Sequence, residues 1–563
     1  MGQSDYWKAF MERRLSRRRV LQAGAIAGAG LWVGSTLGCG GGSTEQSGAT
    51  SVAGVGGSPT PQKGGTIRVN LAVAEPVGID PYIVNNTSIL AYEKLVKHSP
   101  KRDKILPVLA LSWEQPDELT YIFKLKQGVK FHNVDPVNGR EMTAEDAKFS
   151  MERTLSKGAN YNQLPYFQAI SKVEAVDKYT LKITTGTPFA PLLNNMAFMP
   201  DVIMPKEIVG ADNVATKVIG TGPFMLDRWD KGEKMLYKRN PDYHVPDRPY
   251  VDAVEYKWSV DYTSLVAVFI SDQADMASVY AQDMKTIKSK RPKAQIQAAP
   301  ALTEFVLGLN CKYKPLSDLR VRTAMDLVFF RHEVGFRVAG GTGETFDGTD
   351  TGPLTPNLEN WAIPVTELQK KYLSYAEDYT KVKADALAQA KKLMADAGYA
   401  DGFDLQLINC PEQYRDMTAV MAQEWWKQIG INVTIKQMDQ ASFITAGIKG
   451  DFQALLWYTG FGDPDPDGHL YGTFHTGSIN NYGKWSDAKL DKMLDDQRAA
   501  TDVAKRKSIV TDIQNYILEQ RMGFYIYDFT TYTAVNERLH GYEAPRYLTF
   551  TGWDQFADVW FSK

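Results

Sequence analysis

Three aspartates occupy every second position in the segment LLWYTGFGDPDPDGHLY, at residues 455–471. A glycine and a histidine follow them directly. Carboxylates at this spacing suit three kinds of chemistry: they could bind a metal ion, act as an acid/base pair, or lie at the rim of a ligand pocket. Each alternative requires different partner residues elsewhere in the chain.

A calcium loop is the first alternative, because the aspartates and the glycine match the first six positions of such a loop. Its twelfth position should be a glutamate that chelates with both oxygens, but this chain has Phe474 there. Two prolines also stiffen the segment where the loop would have to curl. A zinc site lacks ligands too, since His469 and His475 have no cysteine or third histidine at ligand spacing. We therefore expect no metal site.

Catalysis is the second alternative, and Asp463 and Asp467 are of the residue type that a glycosidase needs. The chain has no Gly-x-Ser-x-Gly elbow and no Walker sequence. The glycines at 341 and 343 lack the third glycine of a dinucleotide loop, and the 7 histidines are scattered without a nucleophile partner. We therefore expect a protein that is not an enzyme and has no cofactor, and we keep an exported, glycosidase-like hydrolase as the alternative.

Length, charge and cysteine content bound the fold and the partners. A chain of 563 residues is too long for one hydrophobic core, so at least two lobes are expected. The net charge is −2 and no basic stripe runs along the sequence, which excludes a nucleic-acid partner. Cys311 and Cys410 could form a disulfide or remain two buried free thiols.

The N-terminus has the composition of an export signal rather than of a folded element. Arginines at 17–19 precede an apolar, glycine-rich stretch over 20–38, which resembles a bacterial twin-arginine signal. A membrane-anchor helix is the alternative, but five glycines make a poor spanning helix. The small residues before Cys39 resemble a lipoprotein box, in which this cysteine is lipidated, although Thr36 holds the place where leucine is usual. Residues 1–39 are therefore predicted to be a signal, and 40–62, rich in Gly, Ser and Thr, a flexible linker.

The folded part is predicted to begin near Lys63 and to mix short strands with amphipathic helices, which is typical of α/β folding. Residues 66–71 alternate between polar and apolar side chains as a strand does. Further on, a helix closed by Gly430 leads into a strand at 431–435. That helix is expected to press one apolar face on the core, formed by Met417, Val420, Met421, Trp425 and Ile429.

Several longer sequence blocks stand in a fixed order from about Lys63 to the C-terminus. They are LALSWE at 109–114, TYIFKL at 120–125, GVKFH at 128–132, MTAEDA at 142–147, FSMER at 149–153, GTGPF at 220–224, PLSDLRVR at 315–322, NY at 481–482 and LD at 490–491. Together these blocks resemble the peptide-type (family five) solute-binding proteins of ABC importers. A single block would be weak evidence, but so many in register over most of the chain are specific.

The resemblance implies an α/β, two-lobed, periplasmic-binding-protein-like fold of class II and cluster C type, with an extra subdomain in the N-terminal lobe. Lobe I would comprise residues 63–98, 218–303 and 528–563, the extra subdomain 99–217, and lobe II 304–527. Chain crossings between the lobes are expected near Gly220, Thr303 and Tyr527.

The resemblance also implies that the aspartate segment lies at a pocket rim, because in this family the segment faces the ligand cleft from one lobe. The expected ligand contacts there are Trp457, Tyr458, Thr459 and Asp463. The aromatic rings offer apolar faces, and the proline-spaced turn fixes backbone groups that can hydrogen-bond a ligand. Dipeptide binders of the family carry an acid between the Trp and the turn to pair with the ligand's amino group, but Gly460 holds that position here.

The opposite wall of the cleft would come from the segment that contains Tyr82, Asn85, Asn86 and Thr87. A loop cap or turn is the alternative interpretation for these four residues. Arg415 stands at the start of a predicted helix and could meet an anionic group of the ligand. A solvated cation at the end of a helix is the alternative there.

The function implied by the resemblance is capture of a solute by lobe closure. The protein would act outside the cytoplasm as a monomer, held at the membrane by a lipid on Cys39. It would deliver its ligand to an ABC permease that a separate ATPase drives. An oligopeptide or a peptide-like compound is the preferred ligand, while opines, chelated nickel and oligosaccharides remain alternatives.

Overall fold

The computed structural model describes residues 60–562, with gaps at 72–74, 77, 83–87, 101, 103, 157–163, 199–200, 210–216, 260–261, 341–347, 412, 461–462, 479 and 545–552. The predicted signal over 1–39 and most of the linker lie outside the described residues, as do Asn85, Asn86 and Thr87.

Lobe I begins with the strand β1 (Thr66–Leu71), whose alternating Ile67 and Val69 side chains are buried. A 3-10 turn at Ser88–Ala91 follows, and then a short antiparallel hairpin of β2 (Val96–His98) and β3 (Ile105–Pro107). The predicted strand at 66–71 is therefore present with the bounds that its sequence pattern indicated.

The extra subdomain is a four-stranded antiparallel sheet covered by short helices. Its strands lie in the order β4–β5–β7–β6. In chain order its elements are β4 (Ala110–Asp117), β5 (Thr120–Leu125), α1 (Ala144–Thr154), α2 (Leu164–Phe167), β6 (Ile170–Asp177), β7 (Thr180–Thr185), α3 (Leu192–Phe198) and α4 (Lys206–Val209).

Lobe I then resumes as a sheet with two helices. Its elements are β8 (Phe224–Asp230), β9 (Lys234–Arg239), β10 (Ala253–Trp258), α5 (Tyr262–Ile270), β11 (Met276–Val279), α6 (Met284–Lys290) and β12 (Gln295–Pro300). The strand β1 is parallel to both β10 and β11, so the first strand of the fold lies inside this sheet.

Lobe II alternates helices and strands. Its elements are β13 (Glu304–Leu309), α7 (Lys314–Ser317), α8 (Leu319–Leu327), α9 (Arg331–Gly340), β14 (Gly348–Asp350), α10 (Val365–Lys371), α11 (Tyr379–Asp396), β15 (Phe403–Asn409), α12 (Gln413–Lys427), β16 (Ile431–Gln437), α13 (Gln440–Lys449), β17 (Ala454–Thr459), α14 (Pro466–Phe474), α15 (Ala488–Ala499) and α16 (Val503–Glu519). The chain then returns to lobe I through β18 (Phe524–Val535), β19 (Leu539–His540) and β20 (Trp560–Phe561).

The long strand β18 belongs to both lobes. Its first residues, up to Tyr527, pair with β13 of lobe II, and residues 530–535 pair with β12 of lobe I. The sheet consequently runs without interruption in the order β16–β15–β17–β13–β18–β11–β1–β10–β9–β8. Bending between the lobes must therefore occur near the middle of β18 and in the segment between β12 and β13.

The apolar cores divide the molecule into two bodies. Lobe I and the extra subdomain share one core, which includes Val254 of the lobe and Ile183 of the subdomain. Lobe II has cores of its own, centred on residues such as Trp426 and Val510. The two-lobed α/β fold is therefore confirmed, whereas the exact residue boundaries of its parts remain a prediction.

The crossing expected near Gly220 does not run between the lobes. Ile219 and Phe224, on either side of it, both belong to the core that lobe I shares with the extra subdomain. A Cβ atom on Gly220 would lie 2.1 Å from the Ala91 carbonyl oxygen, so glycine is required for close backbone contact inside that body. The prediction of an interlobe crossing was wrong here because close packing and chain reversal have the same glycine signature.

The apolar face predicted for α12 is only partly buried. Met421, Trp425 and Ile429 lie in the core of lobe II, but Met417 is 37% exposed and Val420 is 54% exposed. The helical period was therefore correct, but the buried face is rotated slightly from the predicted one, since Thr418, Ala419 and Ala422 are buried in place of Met417 and Val420. After Gln428 and Ile429, Gly430 adopts a left-handed φ of 83° before the next strand, as predicted.

Two further observations concern the described part of the chain. Within it, every helix is too short or too polar to cross a bilayer. Cys311 and Cys410 are both free thiols and partly buried, which agrees with the second of the two alternatives for this pair.

Candidate ligand-binding site

A cluster of aromatic rings and one guanidinium group lies at the end of β17. Trp457 and Tyr458 come directly before Thr459, the last residue of this strand, and both are partly exposed. The Arg415 guanidinium carbon lies 4.8 Å from the ring centre of Tyr458 and 5.6 Å from that of Trp457. The Phe443 ring completes the cluster, 5.2 Å from Trp457. We call Arg415, Phe443, Trp457 and Tyr458 the aromatic cluster.

The aromatic cluster lies beside a contact between the two lobes. Tyr280 follows β11 of lobe I, and Tyr414 is the immediate neighbour of Arg415 at the start of α12 in lobe II. Their ring centres are 5.5 Å apart with an interplanar angle of 87°, an edge-to-face geometry that is favourable for aromatic pairs. The predicted cleft residues of lobe II are therefore placed where lobe I approaches them.

Two of the three aspartates form ion pairs inside lobe II. Asp465 binds the fully buried Arg506 of α16 through two hydrogen bonds, of 2.8 and 2.6 Å. Asp467 binds Arg498 of α15 in the same two-pronged manner, with both bonds at 2.7 Å. Asp465 also caps α14, since it accepts a hydrogen bond from the N–H of Asp467. These carboxylates therefore anchor α14 to the two helices that follow it.

The third aspartate, Asp463, is completely buried at the boundary with the extra subdomain. Its Oδ1 accepts hydrogen bonds from the Asn194 side chain at 2.9 Å and from the Asp465 N–H at 2.8 Å. Burial, followed by the negative charge of Asp465, raises the pKa of Asp463 to about 7. This side chain reaches across to another part of the molecule instead of pointing into solvent.

Behind the aromatic cluster lies a buried histidine and glutamate pair. The Nδ1 of His469 is 2.8 and 2.9 Å from the two carboxylate oxygens of Glu304, and its Nε2 is 2.7 Å from the Asp463 carbonyl oxygen. Both ring nitrogens thus face acceptors, which is the arrangement of a doubly protonated imidazolium ring. Burial lowers the pKa of His469, but the Glu304 carboxylate outweighs this and raises the pKa to about 9.

The pair also determines what can stand at position 460. Gly460 has a φ of 78°, and a Cβ there would lie 2.1 Å from two atoms of the His469 ring. Thr459, the preceding residue, donates its hydroxyl to the Glu304 carboxylate at 3.1 Å. An acid at position 460 is therefore incompatible with this packing, and Thr459 is turned toward the buried pair.

The amino-acid sequence matches the family model of bacterial extracellular solute-binding proteins, family 5 (middle region), over residues 104–481. This span covers more than half of the chain and includes the aromatic cluster and the aspartate segment. The chain belongs to this family. As a family 5 protein it binds a solute outside the cytoplasm, as the sequence blocks predicted.

Relatives of this family 5 protein match it over almost their whole length. It is 28% identical to di/tripeptide-binding protein 1 of Pseudomonas aeruginosa (strain UCBPP-PA14) over 502 residues, 83% of this chain and 90% of that one. It superposes with a TM-score of 0.73 on the oligopeptide-binding protein AppA of Bacillus subtilis in complex with a nonapeptide, at 25% identity and over 90% and 100% of the two chains. It also superposes with a TM-score of 0.73 on AgaA of A. tumefaciens R10 in complex with agropinic acid. The identity is 27%, and the match covers 89% of this chain and 99% of AgaA.

The family 5 fold does not bring all the predicted ligand contacts together. Arg415, Trp457 and Tyr458 do meet in the aromatic cluster. Tyr82 instead lies in the core, where its hydroxyl donates to the Val202 carbonyl at 2.8 Å. Asp463 is buried as well, and Asn85, Asn86 and Thr87 lie outside the described residues.

Metal binding and hydrolysis receive no support from the aspartate segment. Among the described residues, no group of three or more His, Cys, Asp or Glu side chains is arranged to bind a metal ion. The hydrolase alternative relied on Asp463 and Asp467, but the first carboxyl is buried and the second is held by Arg498. The members of the family are binding proteins.

Sequence reasoning missed several residues that shape this site. Phe443 and Tyr482 flank Trp457, and Tyr280 approaches from lobe I. Asn194 contacts Asp463 from a helix far away in the chain. A local signal existed only for Tyr414, which adjoins Arg415, because the other contacts depend on packing between distant segments.

Proposed function

We propose that this family 5 protein captures a peptide or peptide-like solute between its lobes and delivers it to an ABC permease powered by a separate ATPase. The observation that carries the proposal is the aromatic cluster beside the interlobe contact of Tyr280 and Tyr414. The named ligands of the relatives, which are di- and tripeptides, a nonapeptide and an opine acid, support this ligand class.

The chemistry of the aromatic cluster suits a ligand with a carboxylate and an apolar part. Trp457 and Tyr458 provide broad apolar faces with a polar edge. The Arg415 guanidinium is planar and always charged, so it can bind a carboxylate through two hydrogen bonds. Gly460 provides no negative charge for an amino group, and in this proposal the anionic end of the ligand therefore dominates recognition.

Capture occurs by closure of one lobe on the other. A ligand that contacts both lobes binds the closed form better and shifts the equilibrium toward it. A dissociation constant in the micromolar to nanomolar range corresponds to about 8 to 12 kcal/mol of binding free energy. This chain supplies the binding step, and the energy for transport comes from the ATPase.

A titration of the full chain with matched peptides tests the proposal. The panel contains Ala-Phe and Ala-Ala-Phe, each with a free C-terminal carboxylate and as the C-terminal amide. Isothermal titration calorimetry should show micromolar or tighter binding of a free peptide. Loss of a charge-assisted hydrogen bond costs about 1.5 to 3 kcal/mol, so the amide should bind about 10- to 100-fold more weakly.

The variant Arg415→Gln should remove most of this difference between free peptide and amide, because the group that recognises the carboxylate is gone. Arg320→Gln is the matched control, since Arg320 is exposed and bound to Asp318 on the surface. Mass spectrometry must recover the peptide unchanged after incubation. Cleavage of the peptide, or equal binding of acid and amide to the unchanged protein, would contradict the proposal.

We also propose that the protein is exported by the twin-arginine route, works as a monomer and is anchored by a lipid on Cys39. The arginines at 17–19 and the small residues before Cys39 support this proposal. The variant Cys39→Ser is expected to move the protein from the membrane fraction to the soluble extracytoplasmic fraction. Retention of this variant in the membrane fraction would argue for a different anchor.

A further inference from the structure

The extra subdomain touches lobe II through contacts that include a buried carboxyl group. Asn194 of α3 donates its side-chain N–H to Oδ1 of Asp463. Close by, the Ala190 N–H donates to the Arg498 carbonyl at 2.8 Å, and the Arg498 guanidinium lies 5.3 Å from the Phe189 ring centre. The carboxyl group of Asp463 is therefore part of an interface between the two bodies of the molecule.

This interface must change when the lobes separate. The extra subdomain shares its core with lobe I, so the two move as one body. In the described part of the chain, lobe II is connected to that body at residues 301–303 and through β18. Bending at these two connections is expected to draw α3 away from the aspartate segment and to separate Asn194 from Asp463.

We propose that the contact between Asn194 and Asp463 belongs to the closed form, and that the Asp463 carboxyl group takes up a proton when the lobes close. This inference rests on the proposed capture by closure. In the closed form the Oδ2 of Asp463 is buried without a hydrogen-bond partner among the described residues. A charged oxygen in that position has lost its hydrogen bonds to water without replacement, which costs free energy. A protonated carboxyl group is uncharged and loses much less hydration free energy on burial.

The charged neighbours of Asp463 within lobe II shift its pKa in opposite directions. After burial, the largest influence on its pKa is the Asp465 carboxylate, which raises it, while the His469 imidazolium lowers it. Asp465 is itself bound to Arg506, and His469 is bound to Glu304. Since both neighbours are engaged elsewhere, the desolvation of Asp463 dominates.

The groups that face Asp463 from lobe I and the extra subdomain are uncharged. Asn194 carries no charge, and burial lowers the pKa of His98, which packs against Asn194, well below its usual value. The pKa of Tyr166 on α2 is raised, first by burial and then by the charge of Asp463, so the phenol stays neutral. The cations on this side, Lys94 and Arg102, lie around His98 and α3, where Lys94 donates to the Ala197 carbonyl oxygen, and neither is among the main influences on the pKa of Asp463.

The direction in which pH shifts the balance between open and closed protein follows from the pKa of Asp463 in each form. In the open form water reaches the carboxyl group, whose pKa is then near the usual value of about 3.9. In the closed form the pKa of Asp463 is about 7. The ratio of closed to open protein is therefore highest below the open-form pKa, falls by up to about tenfold per pH unit as the pH rises, and levels off above the closed-form pKa.

Small-angle X-ray scattering of the full chain without ligand tests the inference. Between pH 5 and pH 7 the closed-to-open ratio of the unchanged protein should fall by up to about 50-fold, seen as a larger radius of gyration. The variant Asp463→Asn is uncharged at every pH, so its radius of gyration should stay constant. Asn194→Asp places a second carboxyl group against that of Asp463. The two negative charges should open the protein at neutral pH. Because both groups must then be protonated for closure, the closed-to-open ratio should depend more steeply on pH.

Asp496→Asn is the matched control, because Asp496 is an exposed acid of α15 that pairs with Lys492 on the surface. It should follow the unchanged protein at every pH, and circular dichroism confirms that each variant is folded. A radius of gyration that is constant between pH 5 and pH 8 in the unchanged protein overturns the inference, as does an Asp463→Asn variant that still opens with rising pH. No ligand is involved, so a failure of peptide capture is recognised separately by calorimetry.

Discussion

At the scale of single residues, the site depends on Gly460 as much as on its charged groups. Gly460 turns the chain directly after the aromatic cluster, with a φ of 78° that side chains with a Cβ rarely adopt. Any Cβ at this position would also collide with the His469 ring. The conformation of the chain at the end of β17 therefore depends on this residue having no side chain.

Replacement of Gly460 by alanine is expected to destabilise the protein by about 2 kcal/mol or more. The left-handed conformation costs about 1 kcal/mol for a residue with a Cβ, and the collision with His469 adds to this. Thermal and urea unfolding measure the effect. Gly472→Ala is the matched control, because a Cβ on Gly472 within α14 meets nothing within 4 Å. An equal stability of both variants would show that the aspartate segment tolerates a different path.

At the scale of elements, the pair of His469 and Glu304 joins α14 to β13. Glu304 is the first residue of β13 and lies next to the bending segment, while His469 lies in the first half of α14. The Glu304 carboxylate also accepts the Thr355 N–H at 2.7 Å, so three separate segments meet at one buried ion pair. A buried pair of this kind is costly to break, because removal of one partner leaves the other charged and unpaired.

The free energy of unfolding should therefore decrease at alkaline pH. The pKa of His469 is about 9 in the folded protein and about 6.5 in an unfolded chain, so its contribution is fully present below pH 6.5 and is lost as the pH rises through about 9. The loss is on the order of 3 kcal/mol. Urea unfolding at pH 6.5 and pH 9.5 measures it.

The matched variants for this test are Glu304→Gln and His475→Gln. Glu304→Gln removes the charge that raises the pKa of His469 and should flatten the dependence on pH. His475 lies near the surface, stacked on Tyr471, and its replacement should leave the dependence unchanged. A dependence that survives in Glu304→Gln would assign it to a different group.

At the scale of the whole molecule, ligand capture depends on the balance between open and closed forms. The described residues show lobe I and lobe II in contact through the pair of Tyr280 and Tyr414 next to the aromatic cluster. We expect this contact to break when the lobes open, so that it stabilises the closed form without touching the ligand. Its strength therefore contributes to the affinity for every ligand that requires closure.

Tyr280→Ala is expected to weaken the binding of each peptide that the panel identifies by about 2- to 10-fold. An edge-to-face pair contributes about 0.5 to 1.5 kcal/mol, and this amount is lost from the closed form. Calorimetry measures the affinity. Tyr280→Phe keeps the ring and should bind as the unchanged protein does. A Tyr280→Phe variant as weak as Tyr280→Ala would show that the hydroxyl group, and not the ring pair, stabilises closure.

Much of the fold could be predicted from local patterns. The strand at 66–71 and the helix that ends before Gly430 both depend on short stretches of sequence, and both are present. Trp457 and Tyr458 were predicted as ligand contacts through the family resemblance, and Arg415 from its place at the start of a helix; the structure brings the three side chains together. The role of each as a ligand contact stays a prediction.

The sequence by itself determined the family and the α/β character, because these depend on residue types at short spacing. Only the tertiary structure decided what the three aspartates do. Their partners Asn194, Arg498 and Arg506 lie 31 to 269 positions away from them in the chain. A carboxylate looks the same in a sequence whether it binds a ligand, a metal or an arginine, and its burial and its neighbours are set only when distant segments pack.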